Sequence, residues 1–245
     1  MKIMLDAGHG RNTPGKRSPD GLREFEFNSA VADYAKELLE NYKNTTIYFA
    51  HSNNEDVPLQ ARTDKANRLD VDIYVAIHAN AFGTGGWNDA GGIETYVYPT
   101  KPAIAYQLAQ KIQRNLVIAT GLRNRGVKTA DFHVLRETKM DAVLVECGFM
   151  TNPDEVKLLS SGTYRQTCAE AIAKALADQY RLKPKSDKEA KTGSGTKQES
   201  TGGSSTGGSG RLYKVQAGAF KERKNAEAVA EQLRKAGFKA FIYPE

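Results

Sequence analysis

Two histidines and a glutamate stand at the ends of apolar runs in this chain. His9 follows Ile3-Met4-Leu5 through Asp6-Ala7-Gly8, His78 comes directly after Asp72-Ile73-Tyr74-Val75-Ala76-Ile77, and Glu146 comes directly after Ala142-Val143-Leu144-Val145. Each run reads as a strand. Ligand sites in parallel α/β sheets gather at the carboxyl ends of strands, so the three side chains converge if their strands are neighbours. Two imidazoles and a carboxylate suit zinc, which takes nitrogen and oxygen ligands and keeps one position for water. Such an ion lowers the pKa of its water to about 7 and polarises a carbonyl. Hydrolysis of an amide also needs a carboxylate outside the metal shell, to take the water's proton and pass it to the leaving amine. Blander readings stay open at this level. His9 in Gly8-His9-Gly10 could be a loop residue, and His78 a hydrogen-bonded strand end. Glu146 is harder to dismiss, because burying a carboxylate without a partner is expensive.

The elements that must position these residues alternate strand with helix. Strands are expected at Ile3–Leu5, Thr46–Ala50, Ile73–Ile77, Ile93–Tyr98 and Ala142–Val145. One helix is expected from Asn28 to Tyr42, with Val31, Tyr34, Ala35, Leu38, Leu39 and Tyr42 in a stripe. Another runs from Ala103 to Thr120, with Ile104, Leu108, Ile112 and Leu116 recurring every four residues and Gly121 as a stop. Asn152-Pro153-Asp154-Glu155 is a helix start, and a last helix covers about Thr163 to Tyr180. The pattern implies an α/β fold: a mixed, largely parallel sheet flanked by helices.

Composition narrows the setting. No apolar run is long enough to span a bilayer, so no membrane insertion is expected. Cys147 and Cys168 lack metal or redox spacing and read as buried free thiols. The formal charge of +6 is unevenly placed. Residues 1–182 hold 22 bases and 22 acids, so the surplus lies wholly in residues 183–245. Residues 183–210 are rich in Gly, Ser and Lys and form a flexible linker, with a random-coil reach of roughly 30 Å. Residues 211–245 hold 8 bases and 4 acids, a balance that favours an anionic partner. The neutral first module has no basic-aromatic groove, and nucleic acid is not an expected partner.

Beyond spacing, a series of blocks resembles a known family. Asp6-Ala7-Gly8-His9-Gly10, Gly21 to Asn28, Arg62 with Ala66-Asn67, Ile77 to Ala81, Gly92 to Tyr96, Val134-Leu135-Arg136, Leu144 to Phe149 and Asn152-Pro153 look, in that order, like the zinc-dependent N-acetylmuramoyl-L-alanine amidases of the amidase-3 type. The resemblance spans residues 1 to about 180. It implies hydrolysis of the amide between the lactyl group of N-acetylmuramic acid and L-alanine in peptidoglycan. It implies one Zn2+ held by His9, Glu24 and His78, with Glu146 as the catalytic glutamate. Glu24 is matched because the family places an Asn four residues on, here Asn28; Glu26 is the rival. Asn80 could orient the site or a substrate amide, Trp87 could line a glycan groove, and His51 and His133 match no ligand. Departures are Ala7 where the family usually has Pro, and His51-Ser52 in place of a common Thr-Arg. Two other readings remain: a zinc peptidase cutting within the stem peptide, and a catalytically dead wall-binding protein.

The tail resembles half of a SPOR repeat, a module that binds glycan strands. Leu212 to Phe220 reads as a strand, Asn225 to Lys235 as a helix and Phe238–Tyr243 as a second strand. So short a unit buries too little to stand alone, so it is an orphan half, a truncated module or one that pairs with a second copy. Met1 to Asp6 enters a strand without a signal-peptide h-region. The expected route is synthesis in the cytoplasm and action on the wall after lysis or holin release.

Overall fold

The computed structural model describes residues 1–13, 16–185, 227 and 229–231. The chain divides into two compact units, Met1–Gly195 and Thr196–Glu245. In the first, β1 (Lys2–Ala7), α1 (Glu24–Leu39), β2 (Thr46–Phe49), α2 (Leu59–Leu69), β3 (Ile73–Asn80) and β4 (Ile93–Val97) lead to α3 (Ala103–Thr120). Then come β5 (Asn124–Thr129), α4 (His133–Arg136), β6 (Asp141–Phe149), α5 (Glu155–Leu159) and α6 (Gly162–Tyr180). The six strands form one sheet in the order β2-β1-β3-β6-β4-β5. Every neighbouring pair is parallel except β4 with β6. The sheet is therefore mixed and largely parallel, as the alternating pattern implies.

Alternating side chains give the sheet two faces. One carries Ile3, Leu5, Ile73, Val75, Ile77, Val143 and Val145 against α1, α3 and α6. The helices present matching stripes: Val31, Ala35 and Leu39; Leu108, Ile112 and Leu116; and Cys168, Ile172 and Leu176. Cys147 and Cys168 are free, buried thiols in this layer. The other face carries Met4, Tyr74, Ala76, Ala142 and Leu144, covered by the α2 and α4 side. Gly121 ends α3 with φ 69, a left-handed cap that suits glycine. Asn152 Oδ1 accepts from the backbone N–H groups of Asp154 and Glu155 at 3.0 and 3.1 Å, fixing the turn into α5.

Several expectations move. The first helix begins at Glu24 rather than Asn28. Ile104 is 49% exposed, so the α3 stripe starts at Ala105 instead. β3 and β6 continue past their apolar runs, so His78 and Glu146 lie inside strands rather than just beyond them. Both are central strands with a partner on each side, and the hydrogen-bonded ladder runs on where the side chains stop facing the core. α2, α4 and β5 were not expected from the sequence. Residues 183–185, expected to open the linker, still pair with the catalytic unit: Lys43 N donates to Lys183 O at 2.7 Å and Lys185 N to Asn41 O at 2.8 Å. The rest of the linker and the tail strands lie outside the described residues. Among those described, 227 and 229–231 are helical, within the expected tail helix, and no helix is long and apolar enough to cross a membrane.

Candidate metal centre

β1, β3 and β6 are adjacent, and their carboxyl ends bring the expected residues to one edge. His9 sits in the loop after β1 with φ 65, a left-handed conformation that a non-glycine residue adopts only when held. Arg62 of α2 holds it. The guanidinium donates to Asp6 Oδ1 at 2.6 Å, Ala7 O at 2.7 Å and Val57 O at 2.9 Å, and also to His9 O. Tyr74 of β3 donates its hydroxyl to the other Asp6 oxygen at 2.6 Å. All three side chains are buried. Gly8 has no room for a side chain: a Cβ there would lie 2.0 Å from His78 Cε1.

Glu24, in the first turn of α1, joins the two imidazoles. Its Oε1 lies 2.9 Å from His78 Nδ1 and accepts from Ala79 N at 3.3 Å. Its Oε2 lies 3.0 Å from His9 Nε2. Asn28, one turn on, donates to Gly8 O at 3.1 Å and Glu24 Oε1 at 3.4 Å, tying helix to loop. Burial pushes the Glu24 carboxyl up, but the His78 and His9 imidazoles outweigh it and hold the group at about 2. Glu24 in turn raises the His9 imidazole above its ordinary value, against the opposing effect of burial. Glu26, the rival, is exposed.

These residues fit a divalent cation. One ligand atom from each of His9, Glu24 and His78 lies within 4.8 Å of the others. Ligand atoms about 2.0–2.2 Å from a tetrahedral zinc sit about 3.3 Å apart. Glu24 Oε2 is buried and makes no aligned hydrogen bond among the described residues. An anionic carboxylate converging with two imidazoles is a set in which a metal can replace protons.

Glu146 stands beside this cluster, not in it. On β6 it is in register with His78 of β3 and with Glu94 of β4. Its Oε2 is closed off from solvent and has no hydrogen-bond partner among the described residues. Desolvation raises its pKa well above the carboxylate range, with the negative charges of Glu24 and Glu94 adding to the shift. A carboxyl next to a metal site, unpaired and ready to carry a proton, is what amide hydrolysis needs.

The family model described as N-acetylmuramoyl-L-alanine amidase matches residues 3–178. The chain belongs to this amidase family. It is 32% identical to N-acetylmuramoyl-L-alanine amidase CwlM of Bacillus licheniformis over 99% of this chain and 84% of that one. It is 31% identical to the sporulation-specific N-acetylmuramoyl-L-alanine amidase of Bacillus subtilis, with the same coverage. A crystal structure of N-acetylmuramoyl-L-alanine amidase from Clostridium difficile superposes with TM-score 0.70 and 30% identity, over 74% of this chain and 96% of the other. A SPOR model matches residues 162–244, so its first part falls on α6. That helix buries Cys168, Ile172 and Leu176 in the amidase core, so α6 is part of the amidase unit.

Other residues of this amidase fall into place around the centre. Asn80 Oδ1 accepts from Ala81 N at 2.8 Å and its Nδ2 reaches Glu94 Oε2 at 3.5 Å, so it braces the end of β3. His51 accepts from Ala7 N at 2.9 Å through Nδ1 and packs on Phe49. Burial lowers its pKa to about 4, so it is a neutral structural acceptor. His133 opens α4, with Nε2 3.4 Å from Thr63 Oγ1. Trp87 is 46% exposed in the loop between β3 and β4. Sequence reasoning gave no role to Glu94. It is 2% exposed and receives Lys128 Nζ at 2.8 Å, the Arg125 Nε–H and the Tyr96 hydroxyl. Only an unpaired acid at the buried start of a strand could have signalled it.

Proposed function

We propose that the chain hydrolyses the amide between the lactyl group of N-acetylmuramic acid and the L-alanine of the peptidoglycan stem peptide. The observation that carries this reading is the convergence of Glu24 with His9 and His78, one strand from an unpartnered Glu146. His9, Glu24 and His78 would hold one Zn2+, which when bound polarises the scissile carbonyl and supplies an activated water. The chain's own residues do the rest. Arg62 and Asn28 fix the His9 loop and the Glu24 helix in one geometry. Glu146, beside the cluster and without a hydrogen-bond partner for Oε2 among the described residues, accepts the water's proton and returns it to the leaving nitrogen. The family match and the relatives named as N-acetylmuramoyl-L-alanine amidases support this bond over one inside the stem peptide. The test is digestion of purified sacculi: free lactyl carboxyls and new L-alanine amino termini are expected. New termini within the stem instead would show a peptidase.

We infer further that the tail binds glycan strands and pairs with a second copy; the SPOR match to residues 162–244 supports the glycan binding. A tethered wall-binding unit raises the effective concentration of the catalytic unit at its substrate. We also propose that the chain is made in the cytoplasm and acts on the wall after lysis or holin release. Sedimentation of the full chain with denuded glycan strands should show binding that grows with a dimer. Binding by a monomer, or no binding, would contradict this.

A further inference from the structure

The order of strands gives the substrate a direction. His9, Glu24 and His78 lie at the ends of β1, α1 and β3, and Glu146 lies on the next strand, β6. Glu146 returns its proton to the leaving nitrogen, so the nitrogen lies on the β6 side of the scissile bond. The acyl half, with the sugar, then lies over β1. The amine half, the stem peptide, runs outward over β4 and β5.

A basic cluster stands on that path. Glu94 of β4 is directly opposite Glu146, and Lys128 and Arg125 of β5 both bond to its carboxylate. Two cations share this one acid. Both keep further donors. Arg125 uses Nε on Glu94 and reaches Gly91 O from Nη1 at 3.4 Å, while Lys128 uses one N–H. A guanidinium has five N–H groups and an ammonium three. The remaining donors have no partner among the described residues. Both side chains are open to solvent, 25% for Arg125 and 38% for Lys128, although Glu94 is only 2% exposed. Arg125 is further held over the Phe149 ring at 4.8 Å. The pair is thus anchored from below by a buried acid and bare on top, a geometry suited to a carboxylate.

The placement agrees. Glu94 is in register with Glu146 on the adjacent strand, and Lys128 Nζ lies 2.8 Å from the Glu94 carboxylate. Two extended residues span about 7 Å, more than one strand spacing of about 4.8 Å. A second stem residue running outward from Glu146 therefore comes within reach of side chains on β4 and β5.

We propose that Arg125 and Lys128 form the subsite for the free carboxylate of the second stem residue, so that the enzyme selects acidic over amidated stems. This rests on the amidase reading above. The full-length zinc-loaded enzyme is given N-acetylmuramoyl-L-alanyl-γ-D-glutamyl-L-lysine and the same compound with the glutamyl α-carboxylate as a carboxamide. Charge-assisted hydrogen bonds favour the acid by roughly tenfold in kcat/KM, expressed mainly in KM. Lys128→Met should collapse the acid-to-amide ratio toward one, and Lys128→Arg should restore most of it. Equal kcat/KM for the two compounds in the wild type overturns the subsite while leaving the amidase reading intact. Retention of the full ratio in Lys128→Met overturns the assignment of Lys128. Failure to cleave the muramoyl–alanine bond in either compound overturns the amidase reading and, with it, this one.

Discussion

Replacing Arg62 by Met tests whether the metal centre depends on a network that touches no metal ligand side chain. Arg62 is 2% exposed and bonds to Asp6, Ala7 O, Val57 O and His9 O. Met fills much of the same volume but leaves Asp6 as a buried carboxylate with only the Tyr74 hydroxyl, and three carbonyls without that donor. Breaking a buried pair on one side costs about 3–5 kcal/mol. In a domain of this size that lowers Tm by roughly 10 °C. Urea unfolding of metal-free protein at pH 7 measures it directly. Asp6→Asn in the same chain removes the stranded charge and can still accept from Tyr74. The double variant should therefore lose less than the two single losses together, by about 1 kcal/mol or more. Because Arg62 holds the His9 carbonyl, zinc affinity measured against a chelator should fall about tenfold, the scale typical of groups that support metal ligands. Arg62→Met within about 1 kcal/mol of the wild type, with unchanged zinc affinity, would refute the argument; both outcomes are judged against the same buried-pair scale.

Gly8→Ala should fold but lose zinc, because its Cβ would meet the His78 ring at 2.0 Å and force that imidazole away from Glu24; full zinc stoichiometry in that variant would show that the ring has space to give. His51 sets an acid limit. Its pKa is about 4 in the folded chain against 6.5 as the reference, so the unfolded chain binds the proton first. Its contribution is complete above about pH 6.5 and is lost as pH falls toward 4, a total of roughly 3 kcal/mol. His51→Asn, which keeps an acceptor for Ala7 N, should flatten the wild-type decline in urea midpoint over that range, and parallel pH profiles would count against it.

Much of the site was legible because its residues break strong patterns. His9, His78 and Glu146 each follow an apolar run, and runs of that kind mark strands whatever surrounds them. Glu24 was not separable from Glu26 by pattern alone; the family register and then burial against the two imidazoles decide it. The positioning groups were harder. Arg62 meets Asp6 across 56 residues of chain and Arg125 meets Glu94 across 31, so neither pair leaves a local trace. β5 was invisible for a different reason. It is an edge strand, Asn-Arg-Gly-Val-Lys-Thr, with no fully buried side chain and therefore no alternation to read. α2 is polar along most of its length and buries only Arg62, Thr63 and Ala66. Strand ends were misplaced at His78 and Glu146 because apolar runs report side-chain burial, whereas strands end where backbone pairing ends.

The proposed chemistry divides the labour between three residues that would bind the metal and one that moves a proton. The most direct measurement is the turnover of Glu146→Gln carrying one zinc per chain, read as L-alanine amino termini released from sacculi. The variant is expected to fold, keep its zinc and be slowed by at least about 10²-fold, the lower end for general acid–base groups. A zinc-loaded Glu146→Gln that works at the wild-type rate would contradict it.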